Sequence, residues 1–301
     1  MNPLTHFKKI LILPLLIPLI FACFALSPTA QAITDAKAED THNKYKNVGT
    51  FIVIRGPNPI GLPPGIAATV TAVLIHERVL LSAGHFVARA YNNGNGVPFF
   101  STVVLSFSPD NALDPSTWIP VPSAASAWVP HPSFPMPCSP QNCPFNDTDG
   151  LPEPGVADIG LTFLDAPLNI NVATIASYSV SNPPYEGDKQ KQVGYGLVEA
   201  PPTPNPIIFD GLFDGIRRIG MSTPSVIDEN WNSYARDRSG TCHGDSGAPT
   251  FFDGEDGQGA QVIDIASDGN ADCATGDVRA RVDTPEVRAW IFDTIAARLG
   301  N

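Results

Sequence analysis

The sequence is poor in positive charge: 18 Lys and Arg stand against 30 Asp and Glu in 301 residues, a net charge of −12. That balance argues against nucleic acid or an anionic membrane surface as a partner. Cysteine is scarce, with five in the chain. No two are spaced as C-x-x-C, and none forms a cysteine–histidine cluster at metal-ligand spacing, so nothing calls for a metal or cofactor. The G-x-S-x-G elbow of hydrolases built on a parallel sheet is absent, because Ala248 occupies its last position. There is no internal repeat, and helical periodicity is nearly confined to the C-terminal end.

A long apolar span is also lacking. Lys8 and Lys9 precede the apolar stretch Ile10–Leu26, which is short for a membrane span and interrupted by Pro14 and Pro18. Ala30-Gln31-Ala32 follows with the small–x–small pattern of a signal-peptidase site, so residues 1–32 read as a signal peptide and the protein as secreted or periplasmic. Lipid attachment at Cys23 is the minority alternative, since Phe21 suits a lipoprotein signal poorly. Cleavage removes two lysines and no acid, making the chain more acidic still, and no membrane contact is expected afterwards. It also removes Cys23, leaving Cys138, Cys143, Cys242 and Cys273. In an exported protein an even set suggests two disulfides, with three connectivities open.

What is present is a series of short apolar or alternating runs broken by Gly, Pro and Asn. They include Thr50–Ile54, Ala68–Ile75, Val79–Ser82, Thr102–Phe107, Ile159–Leu164, Lys191–Tyr195 and Gln261–Ala266. Such runs predict an all-β sandwich or barrel. Twelve prolines between Pro109 and Pro154 predict a loop carrying at most edge strands. Cys138 and Cys143 within it can close a small loop. Pro201–Pro206 reads as a second rigid loop. At the C-terminus Thr284-Pro285-Glu286 reads as an N-cap, a first-turn proline and a first-turn acid, and Val287, Trp290, Ile291, Ile295 and Leu299 share one helical face. That face is expected to dock on the second half of the protein.

Gly244-Asp245-Ser246-Gly247 carries the most chemical information. A serine hydroxyl needs a base to take its proton, and the tetrahedral oxyanion then needs donors. Glycine two residues before the serine lets the backbone turn an amide toward that oxyanion. Ordinary turns also carry Gly, Asp and Ser, so the pattern is not sufficient alone. His85, in Ser82-Ala83-Gly84-His85, ends an apolar strand and supplies a base. Asp158, in Ala157-Asp158-Ile159-Gly160-Leu161, opens another strand. Taken singly, the histidine reads as structural or exposed and the aspartate as a turn residue.

The order His85, Asp158, Ser246, each at a strand edge, resembles the chymotrypsin/trypsin-like serine proteases. Thr71–Ile75 through Val79–His85 resembles the family's strand pair leading to its Ala-x-His motif. Trp128-Val129-Pro130-His131-Pro132 resembles the His-Pro stretch before the aspartate. Val193-Gly194-Tyr195-Gly196 is similar to the start of the second barrel, and Ile265–Gly269 followed by Cys273 to the strand beside the specificity pocket. Ala280-Arg281-Val282 and the terminal helix complete a likeness over roughly residues 33–301. It implies two six-stranded antiparallel β-barrels with the site between them. The N-terminal barrel would span 33–180, with a Pro-rich insertion at about 108–156, and the C-terminal barrel and helix 181–301. It also implies Ser246 as nucleophile, His85 as general base, Asp158 as its orienting carboxylate and the Gly244 and Ser246 amides as oxyanion donors. Cys242–Cys273 would bridge the pocket walls, with Cys138–Cys143 the remaining pair. Gly240, Thr241, Ser267, Gly269 and Asp277 are the expected substrate-binding residues.

The chain departs from the family in places. Val70 and Phe86 stand where many relatives have a disulfide, and an apolar contact is expected instead. Asp268 stands where a tryptophan commonly lines the neighbouring subsites. Gly240 replaces the pocket-floor aspartate behind Lys/Arg preference. Two readings of Asp277 stay open: a substitute pocket carboxylate, or a loop acid solvated or paired with Arg279. Ala266 argues against preference for an acidic side chain. Signal removal would expose Ile33 and, by the family's logic, place its ammonium beside Asp245; Ile33-Thr34 with His42 and Asn47-Val48-Gly49 resembles bacterial relatives that begin this way. The expected function is a secreted serine endopeptidase acting on proteins or peptides. A non-catalytic binding module on the same fold and an esterase using the same triad are the alternatives.

Overall fold

The computed structural model describes residues 33, 39–55, 65–92, 102–134, 156–177, 190–198, 213–235, 240–253, 260–269, 273 and 276–300. The signal segment, Cys138–Cys143, Pro201–Pro206 and the boundary at 180/181 lie outside them. The described residues are mostly β, forming two curled antiparallel sheets with a C-terminal helix. The first sheet contains β1 (Val48–Arg55), β2 (Gly65–His76), β3 (Val79–Ala83), β4 (Thr102–Ser106), β5 (Ile119–Pro120), β6 (Trp128–Pro130) and β7 (Ile159–Phe163), in the order β5-β4-β1-β2-β3-β7-β6. The two strands from the proline-dense segment, β5 and β6, lie at its two edges, where a missing N–H costs no ladder bond. Central β3 is buried along its whole length, which explains its apolar run Val79-Leu80-Leu81, and buried Ser82 satisfies its hydroxyl by donating to the Thr71 carbonyl.

The second sheet contains β8 (Thr174–Ile175), β9 (Gln190–Gly194), β10 (Arg218–Ser222), β11 (Val226–Ile227), β12 (Trp231–Ala235), β13 (Pro249–Asp253), β14 (Ala260–Gly269) and β15 (Gly276–Arg281). Its path is β10-β9-β13-β14-β15-β12-β11, with β8 pairing parallel to β14. Among the described residues the sheets hold seven and eight strands where six each were expected, and one pairing is parallel. Chain from ahead of residue 180 already belongs to the second sheet through β8. Residues 39 and 40 also reach it. Glu39 bridges to Arg218, and buried Asp40 accepts from Arg217 Nε and Nη2 at 3.0 and 2.8 Å.

Helix α1 (Gly84–Asn92) was not expected from the sequence. Nine residues make a marginal helix in isolation, and tertiary packing holds this one. Phe86, Val87 and Ala90 enter the buried cluster of Phe51, Leu74, Leu80 and Trp128. Val70 and Phe86, the positions lacking the family's disulfide, are both buried in that cluster. Helix α2 (Pro285–Leu299) starts as the sequence predicts: Thr284 Oγ1 accepts from the Val287 N–H, and Pro285 opens the first turn. Val287, Ile291 and Ile295 are buried, in a core drawn from both sheets. The helix does not dock on the second half alone. Trp290 meets His131 edge-on at 4.6 Å, and Arg298 lies 4.8 Å over Phe163 and donates to the Ser126 carbonyl. It fastens the two halves together, so its energy is shared between them.

Candidate active site

His85 and Asp158 come together through strand pairing. β3 runs antiparallel to β7 with Ala83 opposite Ile159, so residues just past the end of β3 abut those just before β7. The His85 N–H donates to Asp158 Oδ1 at 2.6 Å, and His85 Nδ1 lies 2.8 Å from Oδ2. From the other sheet, the Ser267 hydroxyl donates to Oδ2 at 2.5 Å. An ionised carboxylate only accepts, so this environment assigns the Nδ1 proton to His85 and leaves Nε2 as the acceptor nitrogen. Burial alone raises the Asp158 pKa. The His85 charge and the bonds from His85 and Ser267 outweigh it and hold the carboxyl below its ordinary range.

Ser246 sits on the turn leading into β13, tied to both sheets. The Gly244 carbonyl accepts from Thr71 N–H and Thr71 Oγ1 on β2, at 3.1 and 3.0 Å. The Gly247 N–H donates to the Ala266 carbonyl on β14 at 2.7 Å. Both glycines adopt positive φ, 96° at Gly244 and 79° at Gly247, as the turn requires. Gly247 is also a point of close approach. A Cβ there would sit 2.3 Å from Thr71 O and Ser82 Oγ and 2.9 Å from Ala83 N, on the strands leading to His85. The serine turn is therefore pressed against the histidine strand. Among the described residues, neither the Gly244 nor the Ser246 amide donates to a backbone acceptor.

Asp245 is buried and accepts from the Gly196 N–H at 2.8 Å and the Cys242 N–H at 3.1 Å. Burial pushes its pKa up to about 6 against the pull of those donors. Ile33 is buried at 1 % exposure with φ 33°. Among the described residues no hydrogen bond joins it to Asp245.

A cavity of about 60 Å³ opens beside Ser246. Thr241, Ser267 and Gly269 line it, as do His243 and Asp268, and the Cys242–Cys273 disulfide closes one side with 5.0 Å between Cα atoms. Gly240 and Asp277 are both buried, but neither lines the cavity. Asp277 forks onto Arg279, with Nε–Oδ1 2.9 Å and Nη2–Oδ2 3.0 Å. It also accepts from Thr241 N and Oγ1 at 2.7 and 3.0 Å. Of the two readings of Asp277, the geometry is that of the acid paired with Arg279. It reaches the cavity only through Thr241.

Two contributions to the site escaped the sequence. Thr71 reads as an ordinary β-branched strand residue, and nothing in the chain marks it as the clamp on the Gly244 carbonyl. Ser267 is legible as a pocket residue, but its hydrogen bond to Asp158 spans 109 positions and follows only from folding.

No protein-family model and no curated protein sequence matches this chain. Its two curled antiparallel sheets and C-terminal helix resemble a trypsin-like fold. The disulfide fits export, and among the described residues no helix is long and apolar enough to cross a membrane.

Proposed function

We propose that this chain is an exported serine endopeptidase working through an acyl-enzyme. The observation that carries the reading is the His85–Asp158–Ser267 hydrogen-bonded array at the edge of a cavity lined by Ser246. His85 Nε2 takes the Ser246 proton as Oγ attacks the scissile carbonyl. The Gly244 and Ser246 amides, free of backbone acceptors among the described residues, stabilise the oxyanion. The imidazolium then protonates the departing amine, and a water repeats the sequence to release the acid. Asp158 stays ionised throughout, holding the tautomer and balancing the positive ring.

A fluorophosphonate probe tests this reading. Chain starting at Ile33 should label at Ser246, and Ser246→Ala should not. Failure of correctly folded wild type to label favours a binding module on the same fold. Labelling with turnover of esters but not of amides favours the esterase.

A further inference from the structure

With Gly240 at the expected pocket floor and Asp277 neutralised by Arg279, Asp268 is the acid that lines the cavity among the described residues. It directly follows Ser267, whose hydroxyl bonds Asp158, and it lies within electrostatic reach of His85. One carboxylate oxygen, Oδ1, accepts from the N–H of Gly269 at 2.8 Å. No ion pair joins Asp268 to a cation among the described residues. The charges acting on it are the His85 ring and the repelling Asp158 carboxylate, and His243 also faces the same cavity. Burial is the main cause that pushes its pKa above the ordinary carboxylate range, although the Gly269 bond and His85 oppose it. A carboxylate partly stripped of water and bound by one backbone donor gains most from an added cation.

We propose that Asp268 makes this site selective for a lysine or arginine side chain on the acyl side of the scissile bond, with the ammonium or guanidinium entering the cavity and pairing with the Asp268 carboxylate. The inference rests on the endopeptidase reading for its substrate class, but its electrostatics do not depend on turnover. The acid that selects for positive charge therefore stands on the cavity wall beside the triad, and the buried Asp277 serves to brace Thr241.

Two measurements decide the matter. In the first, peptide substrates carry lysine or norleucine at the residue bearing the scissile carbonyl, or at the residue before it. Wild type should favour lysine at one of these positions by about tenfold or more in kcat/KM, the scale expected of one poorly solvated charge pair. In Asp268→Asn the ratio should collapse to near one, whereas Asp268→Glu should retain a preference for lysine. In the second, Ser246→Ala protein is titrated calorimetrically with the same peptides, a readout that needs no chemistry. Lysine peptides should bind more tightly than norleucine peptides, and Asp268→Asn should remove the difference. Equal binding of the two peptides by Ser246→Ala overturns the proposal, as does a lysine preference that survives Asp268→Asn. Absent labelling by fluorophosphonate alongside a lysine preference in binding would sink the endopeptidase reading and leave the Asp268 assignment standing.

Discussion

Replacing Gly247 by alanine tests the point where the two sheets meet behind Ser246. The new Cβ would lie 2.3 Å from Thr71 O and Ser82 Oγ, and Thr71 O is backbone that no side-chain rotation can move. The left-handed conformation at φ 79° adds about 1–2 kcal/mol for a residue with a side chain. Overpacking against fixed atoms adds about 1–3 kcal/mol. The expected loss of stability is thus roughly 2–5 kcal/mol, a large part of the 5–15 kcal/mol typical of a folded protein. To regain ordinary contact the turn must retreat by roughly 1 Å from β2 and β3. A shift of that size next to Ser246 corresponds to a loss of about a hundredfold in turnover. Urea unfolding followed by near-ultraviolet circular dichroism reads the first effect, and kcat/KM with the rate of fluorophosphonate labelling reads the second. Gly247→Ala protein with the wild-type unfolding midpoint and labelling rate would refute the claim that this contact presses the serine turn onto the histidine strand.

Asp158→Asn should reduce kcat by about 10³–10⁴, because the amide NH₂ cannot accept the His85 Nδ1 proton and favours the unproductive tautomer; steady-state kinetics checks this, and a loss below tenfold would contradict the role. Removing the Cys242–Cys273 bridge, which closes a separation of 31 residues, should cost about 3.5–4 kcal/mol on the chain-entropy model, read as a lowered midpoint in a Cys242→Ala/Cys273→Ala double variant. Asp245 has a native pKa near 6, raised above its unfolded value. Its contribution to stability is therefore full below about pH 4 and lost as pH rises through 6, by about 3 kcal/mol in total. A free Ile33 ammonium placed beside Asp245 would offset that loss, so chain starting at Ile33 should be more stable at pH 7, and more active, than chain carrying one extra residue ahead of it. Identical pH–stability curves and activities for the two would remove Ile33 from this role.

Much of the architecture is legible in the amino-acid sequence because it is encoded over short distances. Short apolar runs such as Thr50–Ile54 and Val79–Ser82 announce strands, and the proline-dense stretch confines its own strands to sheet edges. Thr284-Pro285 starts the last helix where the N-cap rule places it. Ala83-Gly84-His85 and Ala157-Asp158-Ile159 are legible as strand-edge segments, and strand pairing joins the histidine to the aspartate. Helix α1 was less legible, since so short a segment has no strong period and owes its helicity to the sheet beneath it.

Tertiary structure alone decided what depends on partners distant in the chain. Whether Asp277 carries a charge into the cavity turns on Arg279 and Thr241, and only the folded geometry shows all of its oxygens engaged. The same holds for Thr71 on the Gly244 carbonyl, Ser267 on Asp158 and the close approach at Gly247. The candidate residues can be read from local pattern because the proposed chemistry needs a particular side chain at a particular turn. Which acid faces the cavity cannot, because charge is compensated through space, and the sequence does not record which groups end up a few ångströms apart.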